Sequence, residues 1–327
     1  MKNLQKIVKN FSKVRILVIG DLMADKYVWG DGLRLSREAP INVVTVVEET
    51  FSLGGAANIA RNAKHLGGEV YLVGLVGFDD AAQSFRRAIA NSGIDTGGIF
   101  PTSERPTTLK VRIMSTEYNL QLMRIDYETT KPLTRDEKAS LLKYITSYME
   151  DIDVIVIADY EKGVFSDQGM IDTLIQMAQK HNVITVVDSK PGHYGMFKDT
   201  TLIVSNYRGA RDFVYFKGNK SAYQLEEIGK NMLNILKCNA LLLIQDGKGL
   251  FLFTPDAEMQ SFKGISQEVF DLTGIEDTVV STLALSLAAG ATIREAAEVA
   301  SLTYKIVGSK KGSSVVSVRE LLTFQEV

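Results

Sequence analysis

The feature that most constrains this chain is a rhythm of short, continuously apolar, β-branched runs separated by stretches with helical spacing. The runs fall at residues 15–19, 69–75, 154–157, 184–187, 202–204, 241–244 and 250–253. A strand wetted on one face alternates apolar and polar residues. Runs without that alternation therefore belong to strands covered on both faces, as in a mostly parallel sheet. Helical patterns at 56–66, 80–92, 135–148, 168–180, 222–236 and 278–289 lie between them. Strand and helix in alternation give right-handed crossovers and a three-layer α/β sandwich. Ligands of such a sheet collect at the carboxyl ends of its strands.

Two segments break the rhythm. Residues 41–50 alternate with few helix signals, and 107–127 read as two strands around a turn at 116–119. Both have the pattern of half-buried antiparallel strands. They are expected to pair into a small β-sheet lid drawn from about 33–52 and 106–128. No repeat, low-complexity tract or Pro/Gly linker divides the chain, so a single domain over residues 1–327 is expected. A hydrophobic content of 45% supplies its core.

Charge and cysteine usage exclude several classes. A net charge of −2 gives no electrostatic drive toward nucleic acid or an anionic membrane. No apolar run approaches the ~20 residues needed to span a bilayer, and the Lys-rich start lacks the features of a signal peptide. The single cysteine, Cys238, excludes an internal disulfide and reads as a buried thiol in a reducing compartment. A cytoplasmic location is expected. His65, His181 and His193 lie far apart without metal-ligand spacing and read as surface or loop residues.

Residues 16–21 form a strand pattern ending in Gly20-Asp21, with Asp25 four residues on. Carboxylates at a strand's carboxyl end suit sugar hydroxyls, and Asp21 could equally cap the next turn. Gly54 and Gly55 precede an amphipathic helix and let backbone N–H groups approach a ligand, with Asn58 on the first turn as a polar pocket residue. They could also be a tight turn and nothing more. Lys110 and Arg112 share one lid face, as do Arg124 and Asp126. Such cations could hold a substrate phosphate, or form a solvated, salt-paired surface. A dinucleotide-binding dehydrogenase is excluded, because Gly20 is followed by Asp21 and no Gly-x-Gly-x-x-Gly is present there.

Read together, residues 20–27 (Gly-Asp-Leu-Met-Ala-Asp-Lys-Tyr), 35–40 (Leu-Ser-Arg-Glu-Ala-Pro) and 54–58 (Gly-Gly-Ala-Ala-Asn) resemble the ribokinase-like (PfkB) carbohydrate kinases. Within them the closest resemblance is to the heptose 7-phosphate kinase domain of ADP-heptose synthesis. Asp159-Tyr160-Glu161-Lys162-Gly163, Asp188-Ser189-Lys190 and Asn206 continue the match in order along nearly the whole chain. The resemblance implies a ribokinase-like fold and transfer of the γ-phosphoryl of ATP, with Mg²⁺, to a sugar-phosphate hydroxyl. The metal would be carried mainly by the nucleotide rather than by a dedicated protein cage. A homodimer formed through the lid is also implied. In some relatives a nucleotidyltransferase follows; this sequence ends at Val327, and that activity is not expected of it.

The resemblance also assigns roles. Asp277 matches the catalytic base, with a mere cap of its helix as the alternative, and Gly274 part of an anion hole at a helix start. Asp21, Asp25, Gly54, Gly55, Asn58, Lys110, Arg112 and Arg124 would hold the sugar. Lys162, Asp188, Lys190, Asn206, Gln245, Gly247, Gly249, Thr273 and Ser301 would face the nucleotide. Departures from the family pattern cluster on that nucleotide side. Residues 271–278 read Asp-Leu-Thr-Gly-Ile-Glu-Asp-Thr, so Ile275 and Glu276 stand where relatives have Ala and Gly. Gly209 stands where the family has the Glu of Asn-x-x-Glu. Gln245 leads a turn that usually begins with Thr, and Tyr304 stands where small residues usually meet adenine. A carboxylate ~4 Å from phosphate charge costs about 1 kcal/mol in water and more in a drier site. The alternative to an active kinase is therefore an impaired one that binds a sugar phosphate or nucleotide sugar.

Overall fold

The computed structural model describes residues 2–117, 119–219, 224–264, 274–310 and 315–324. Helix α1 (Lys2–Lys9) precedes the first core strand, β1 (Arg15–Gly20). Strands β2 (Leu22–Leu35) and β3 (Asn42–Gly55) leave the main body as a long hairpin, and α2 (Ala56–His65) returns to it. After β4 (Glu69–Val76), α3 (Asp80–Ile89) and β5 (Asp95–Pro101), strands β6 (Thr108–Ser115) and β7 (Leu120–Tyr127) make a second excursion. The main body resumes with α4 (Arg135–Tyr148), β8 (Val154–Ala158), α5 (Gln168–Lys180) and β9 (Ile184–Asp188). It continues with β10 (Leu202–Asn206), α6 (Tyr207–Phe216), α7 (Leu225–Leu236) and β11 (Leu241–Gln245). Strands β12 (Gly249–Thr254) and β13 (Ala257–Lys263), then helices α8 (Ile275–Ala288), α9 (Ile293–Gly308) and α10 (Val318–Thr323), complete it.

The main sheet has the order β13-β12-β11-β10-β9-β8-β1-β4-β5, parallel from β11 to β5 and antiparallel at the β12–β13 edge. Its strands divide their side chains between two cores. Ile16, Val18, Val154 and Val156 face the layer that holds α2, α8 and α9. Leu17, Ile19, Ile155 and Ile157 face the opposite layer. Both faces are dry, and that is why the runs do not alternate. Each fully buried aliphatic side chain contributes roughly 1.5–3 kcal/mol of hydrophobic stabilisation. The small sheet has the order β3-β2-β6-β7 and takes in β2, which is unmarked in the sequence reading because its Lys, Asp and Gly residues blur any period.

Three further differences bear on function. The helix expected over 278–289 begins earlier, at Ile275, because Gly274 adopts φ +81° as its N-cap and turns the chain into the helix a turn sooner. Glu276 and Asp277 therefore sit in the first helical turn rather than in a preceding loop. Helix α8 is buried on nearly all sides between α2, the sheet and α9, as its almost uniformly apolar sequence requires. Helices α6 and α9 and strands β5 and β13 are additional to those read from the sequence. Cys238 is buried and free, its thiol pushed up to about 12 by burial. No helix among the described residues is long and apolar enough to cross a membrane.

Candidate active site

The sheet order reverses at β1, which pairs with β4 on one side and β8 on the other. The carboxyl ends of β1, β8, β9 and β10, the start of α8 and one face of the small sheet converge beside this point. It is where a doubly wound sheet opens a crevice for ligands.

Asp21 follows β1 directly and is almost completely buried. Its Oδ2 accepts N–H bonds from Tyr160 at 2.8 Å and Lys162 at 3.1 Å, and Oδ1 accepts a longer one from Val164 at 3.4 Å. Burial and the nearby charge of Asp159 push its pKa up to about 6, against the pull of those amides. The carboxylate thus clamps the loop after β8, a role outside both the sugar contact and the local cap read from sequence. Gly55 takes φ +56° at the N-cap of α2, and a Cβ there would lie 2.5 Å from the Asp21 carbonyl oxygen. A Cβ on Gly54 would lie 2.5 Å from Asp25 Oδ2. Gly55 is required by its left-handed φ and the close backbone, whereas the contact at Gly54 is with the end of the Asp25 side chain, which can move aside.

Asp277 is the centre of the constellation. Its Oδ1 accepts from the Tyr160 hydroxyl at 2.7 Å, and its Oδ2 from Asn58 Nδ2. The Tyr160 hydroxyl also lies 3.2 Å from Asp188 Oδ2. Burial pushes Asp277 up to about 6, Glu276 adds to the rise, and Asn58, Tyr160 and Lys190 oppose it. Asp188 is likewise raised to about 6, by burial first, with Lys190 opposing. Gly274 lies beside the pair, since a Cβ there would stand 3.2 Å from Asn58 Nδ2. The first N–H groups of α8 have no intrahelical partners, which makes this helix start suited to negative charge. A carboxylate with pKa near 6 beside a helix N-terminus can take a proton from a hydroxyl while the helix end receives developing negative charge.

Above Asp277 the small sheet presents its charged face. Arg112 pairs with Asp25 and stacks over Tyr27, 5.3 Å from the ring centre. Lys110 bridges Asp126 and Glu128, both at 3.0 Å, Lys162 meets Glu128 at 2.8 Å, and Arg124 meets Asp126 at 2.9 Å. Although burial pulls Asp126 upward, Lys110 and Arg124 hold it below the usual carboxylate range. The lid cations are brought together as one network, with each of these cations paired to a carboxylate.

Between the end of β11 and the starts of α6 and α8, a cavity of about 440 Å³ is lined by Asn206, Tyr207, Arg208, Arg211, Gln245, Asp246 and Glu276, among others. Glu276 accepts from Asn206 Nδ2 at 3.2 Å and lies 3.8 Å from Lys190 Nζ. Burial pushes its carboxyl up. Asn206 also caps α6, accepting from the Gly209 N–H at 2.8 Å. Tyr304 is buried in the core and does not line this cavity; its hydroxyl accepts the Gly247 N–H at 3.0 Å and so holds down the turn that leads through Gly249 into β12. Ser301 is buried on α9 and donates to the Glu298 carbonyl at 2.8 Å. Thr273 lies outside the described residues. Among the described residues no group of three His, Cys, Asp or Glu could hold a metal ion. His193, read as a surface or loop residue, is partly buried, with Nδ1 2.8 Å from Asp159 Oδ2.

Sequence reasoning missed three residues of the site and a fourth beside it. Tyr160 was visible only as part of a motif, and its hydroxyl bridge between Asp188 and Asp277 required the fold. Arg208 and Arg211 fell in a helix that was not marked. Arg61 had a usable signal, three residues beyond Asn58 on the same helix face.

Comparison with known proteins gives the family and the fold. The pattern of pfkB family carbohydrate kinases matches residues 13–319. Bifunctional protein HldE of Helicobacter pylori is 36% identical over 307 residues, covering 94% of this chain and 65% of that protein. Bifunctional protein HldE of Citrifermentans bemidjiense is 32% identical over 321 residues, covering 98% of this chain and 65% of that protein. The chain thus spans 65% of the length of these relatives. Phosphofructokinase-2 from Escherichia coli, in complex with potassium, superposes with a TM-score of 0.76 at 16% identity, covering 94% of this chain and 97% of that one. Arabidopsis thaliana ribokinase, complexed with ribose and ATP, gives 0.72 at 17% identity, covering 95% and 99%. At such identities the structural likeness establishes the ribokinase-like fold.

Proposed function

The chain belongs to the pfkB family of carbohydrate kinases, and from that premise we propose that it transfers the γ-phosphoryl group of Mg·ATP to a hydroxyl of a heptose 7-phosphate-like sugar, as a step toward ADP-heptose. The observation that carries the reading is Asp277, held by Tyr160 and Asn58 at the start of α8 with a pKa raised to about 6. An acceptor hydroxyl placed at Asp277 gives up its proton as the phosphoryl group arrives, and the N–H groups of the first turn of α8 take up the spreading charge. Lys190, Arg208 and Arg211 supply cationic character to the cavity where a triphosphate would lie. Magnesium carried on the nucleotide would neutralise phosphate charge there. Arg112, Arg124 and Lys110 would receive the sugar's own phosphate by exchanging carboxylate partners for it. A cytoplasmic location, where ATP is available, goes with this reading. The test is ADP release from Mg·ATP with D-glycero-D-manno-heptose 7-phosphate. Saturable turnover is expected, and none across a broad panel of sugar phosphates would remove the proposal.

One observation favours the impaired reading. Glu276 puts a carboxylate on the wall of the cavity, where it meets Asn206 and Lys190. Glu276→Gly is expected to tighten Mg·ATP binding by roughly tenfold, the scale of removing one carboxylate near phosphate charge. Calorimetry checks this, and unchanged affinity would clear Glu276 of any part in weakening the nucleotide site.

The second face of the small sheet supports a dimer. Val111 pairs with Ile125 and Ile113 with Met123, on the side away from Lys110 and Arg112. Met123 is 59% and Ile125 42% exposed. A contiguous apolar face of this kind suits a second copy of the chain. Light scattering should give twice the monomer mass, and Ile125→Glu should reduce it to one.

A further inference from the structure

Arg61 has no part in the chemistry described above, yet it is a part-buried cation on the face of α2 that carries Asn58. Its Nη2 donates to Asn58 Oδ1 at 2.9 Å, and its Nε–H is buried without a partner. The two ends of the Asn58 amide are chemically opposite: the carbonyl accepts and the NH₂ donates. An ionised Asp277 only accepts, so it is served by the NH₂ end alone. A half-turn of the amide would set Oδ1 against the carboxylate. A guanidinium has no acceptor atom and can face only Oδ1. Asn62 Nδ2 approaches the same oxygen at 3.5 Å while donating to the Asn58 carbonyl at 2.9 Å. Asn62 is itself oriented by that bond to the Asn58 carbonyl, which leaves its Oδ1 3.1 Å from Thr278 Oγ1, a hydroxyl shared with the Gly274 carbonyl at 2.9 Å.

We propose that Arg61 is a positioning residue for Asp277, one that holds the donor end of Asn58 on the base carboxylate. The inference rests on the reading of Asp277 as the base. The groups facing Asp277 are Asn58 and, through it, Arg61 from α2, Tyr160 after β8, Asp188 and Lys190 at the end of β9, and Glu276 on α8. Asp25 on β2 shares the field of Arg61 with Asp277. Of these, the Asn58 amide and the Tyr160 hydroxyl can each present either a donor or a bare acceptor to the carboxylate, and Arg61 decides between them for Asn58.

The test is a carbon-13 titration of protein labelled at its Asp carboxyl carbons. The Asp277 resonance is identified by its loss in Asp277→Asn. Arg61→Met should raise the Asp277 titration midpoint by ~1 pH unit, and Arg61→Lys, which keeps a cationic donor, should bring it back. If the Met variant does not fold, Arg61→Leu gives the same reading. The indirect route is tested in an Asn58→Ala background, where removing Arg61 should move the midpoint by less than half as much, the remainder being its direct field on Asp277. An unchanged midpoint in Arg61→Met, or an equal shift in both backgrounds, would overturn the proposal. The titration needs no turnover, so its failure and a failure to find kinase activity are separate results.

Discussion

Asp277→Asn is expected to lower kcat by about 10²–10⁴-fold, the usual contribution of a positioned general base, while leaving the fold intact. The asparagine fills the same space, its oxygen accepting from Asn58 Nδ2 and its NH₂ donating to the Tyr160 oxygen, whose proton turns to Asp188, so sugar-phosphate binding by calorimetry should persist. The pH profile sharpens the test. With Asp277 at about 6, activity of the native enzyme should fall as pH drops through that value, and the residual activity of the variant should lack this limb. Stability moves the other way. A carboxyl whose folded pKa lies above its unfolded value contributes stability that is full below the unfolded pKa and lost as pH rises through the folded one. Asp277 therefore costs stability at neutral pH, up to about 2–3 kcal/mol on the scale of its shift. The neutral asparagine should melt no lower than the native protein at pH 7.5. A loss of activity accompanied by a large fall in melting temperature would mean that Asp277 is structural.

Asp21→Ala carries the largest expected effect on stability. Removing the carboxylate strands the buried N–H groups of Tyr160 and Lys162, and each orphaned donor costs about 1–3 kcal/mol. A loss of about 2–5 kcal/mol in urea unfolding is expected, together with loss of activity, because Tyr160 would no longer hold Asp277. Asp21→Asn gives the contrast. Its amide oxygen can occupy the Oδ2 position and keep both short bonds, and it removes a charge that burial disfavours. That variant should stay within about 1 kcal/mol of the native protein. If alanine and asparagine destabilise alike, Asp21 is not a clamp.

These two residues also show what could be read in the sequence. Both were recognisable as carboxylates at the ligand edge, because strand ends and helix starts are local signals. Their partners were not local. Asn58 and Asp277 are 219 residues apart, and Asp21 and Tyr160 are 139 apart. Asn58 was consequently read as a sugar contact without its bond to Asp277, and Asp21 as a sugar contact or a cap without its hold on a distant loop. The α8 start was displaced because Gly274 supplied a left-handed cap that the reading treated as loop. The lid cations were found, but their neutralisation by Asp25, Asp126 and Glu128 depends on strand register, which alternation alone does not set.

The junctions of the small sheet have a mechanical consequence. A single residue, Asp21, separates β1 from β2, and β3 runs straight into α2 at Gly55. The Asp21 carbonyl accepts the Ala56 N–H at 3.1 Å, fastening the two junctions to each other. Nothing there is slack. A tilt of the outer strands must therefore swing the first turn of α2, and with it the Asn58 amide bonded to Asp277, so that the small sheet and the start of α8 move as strokes of one lever.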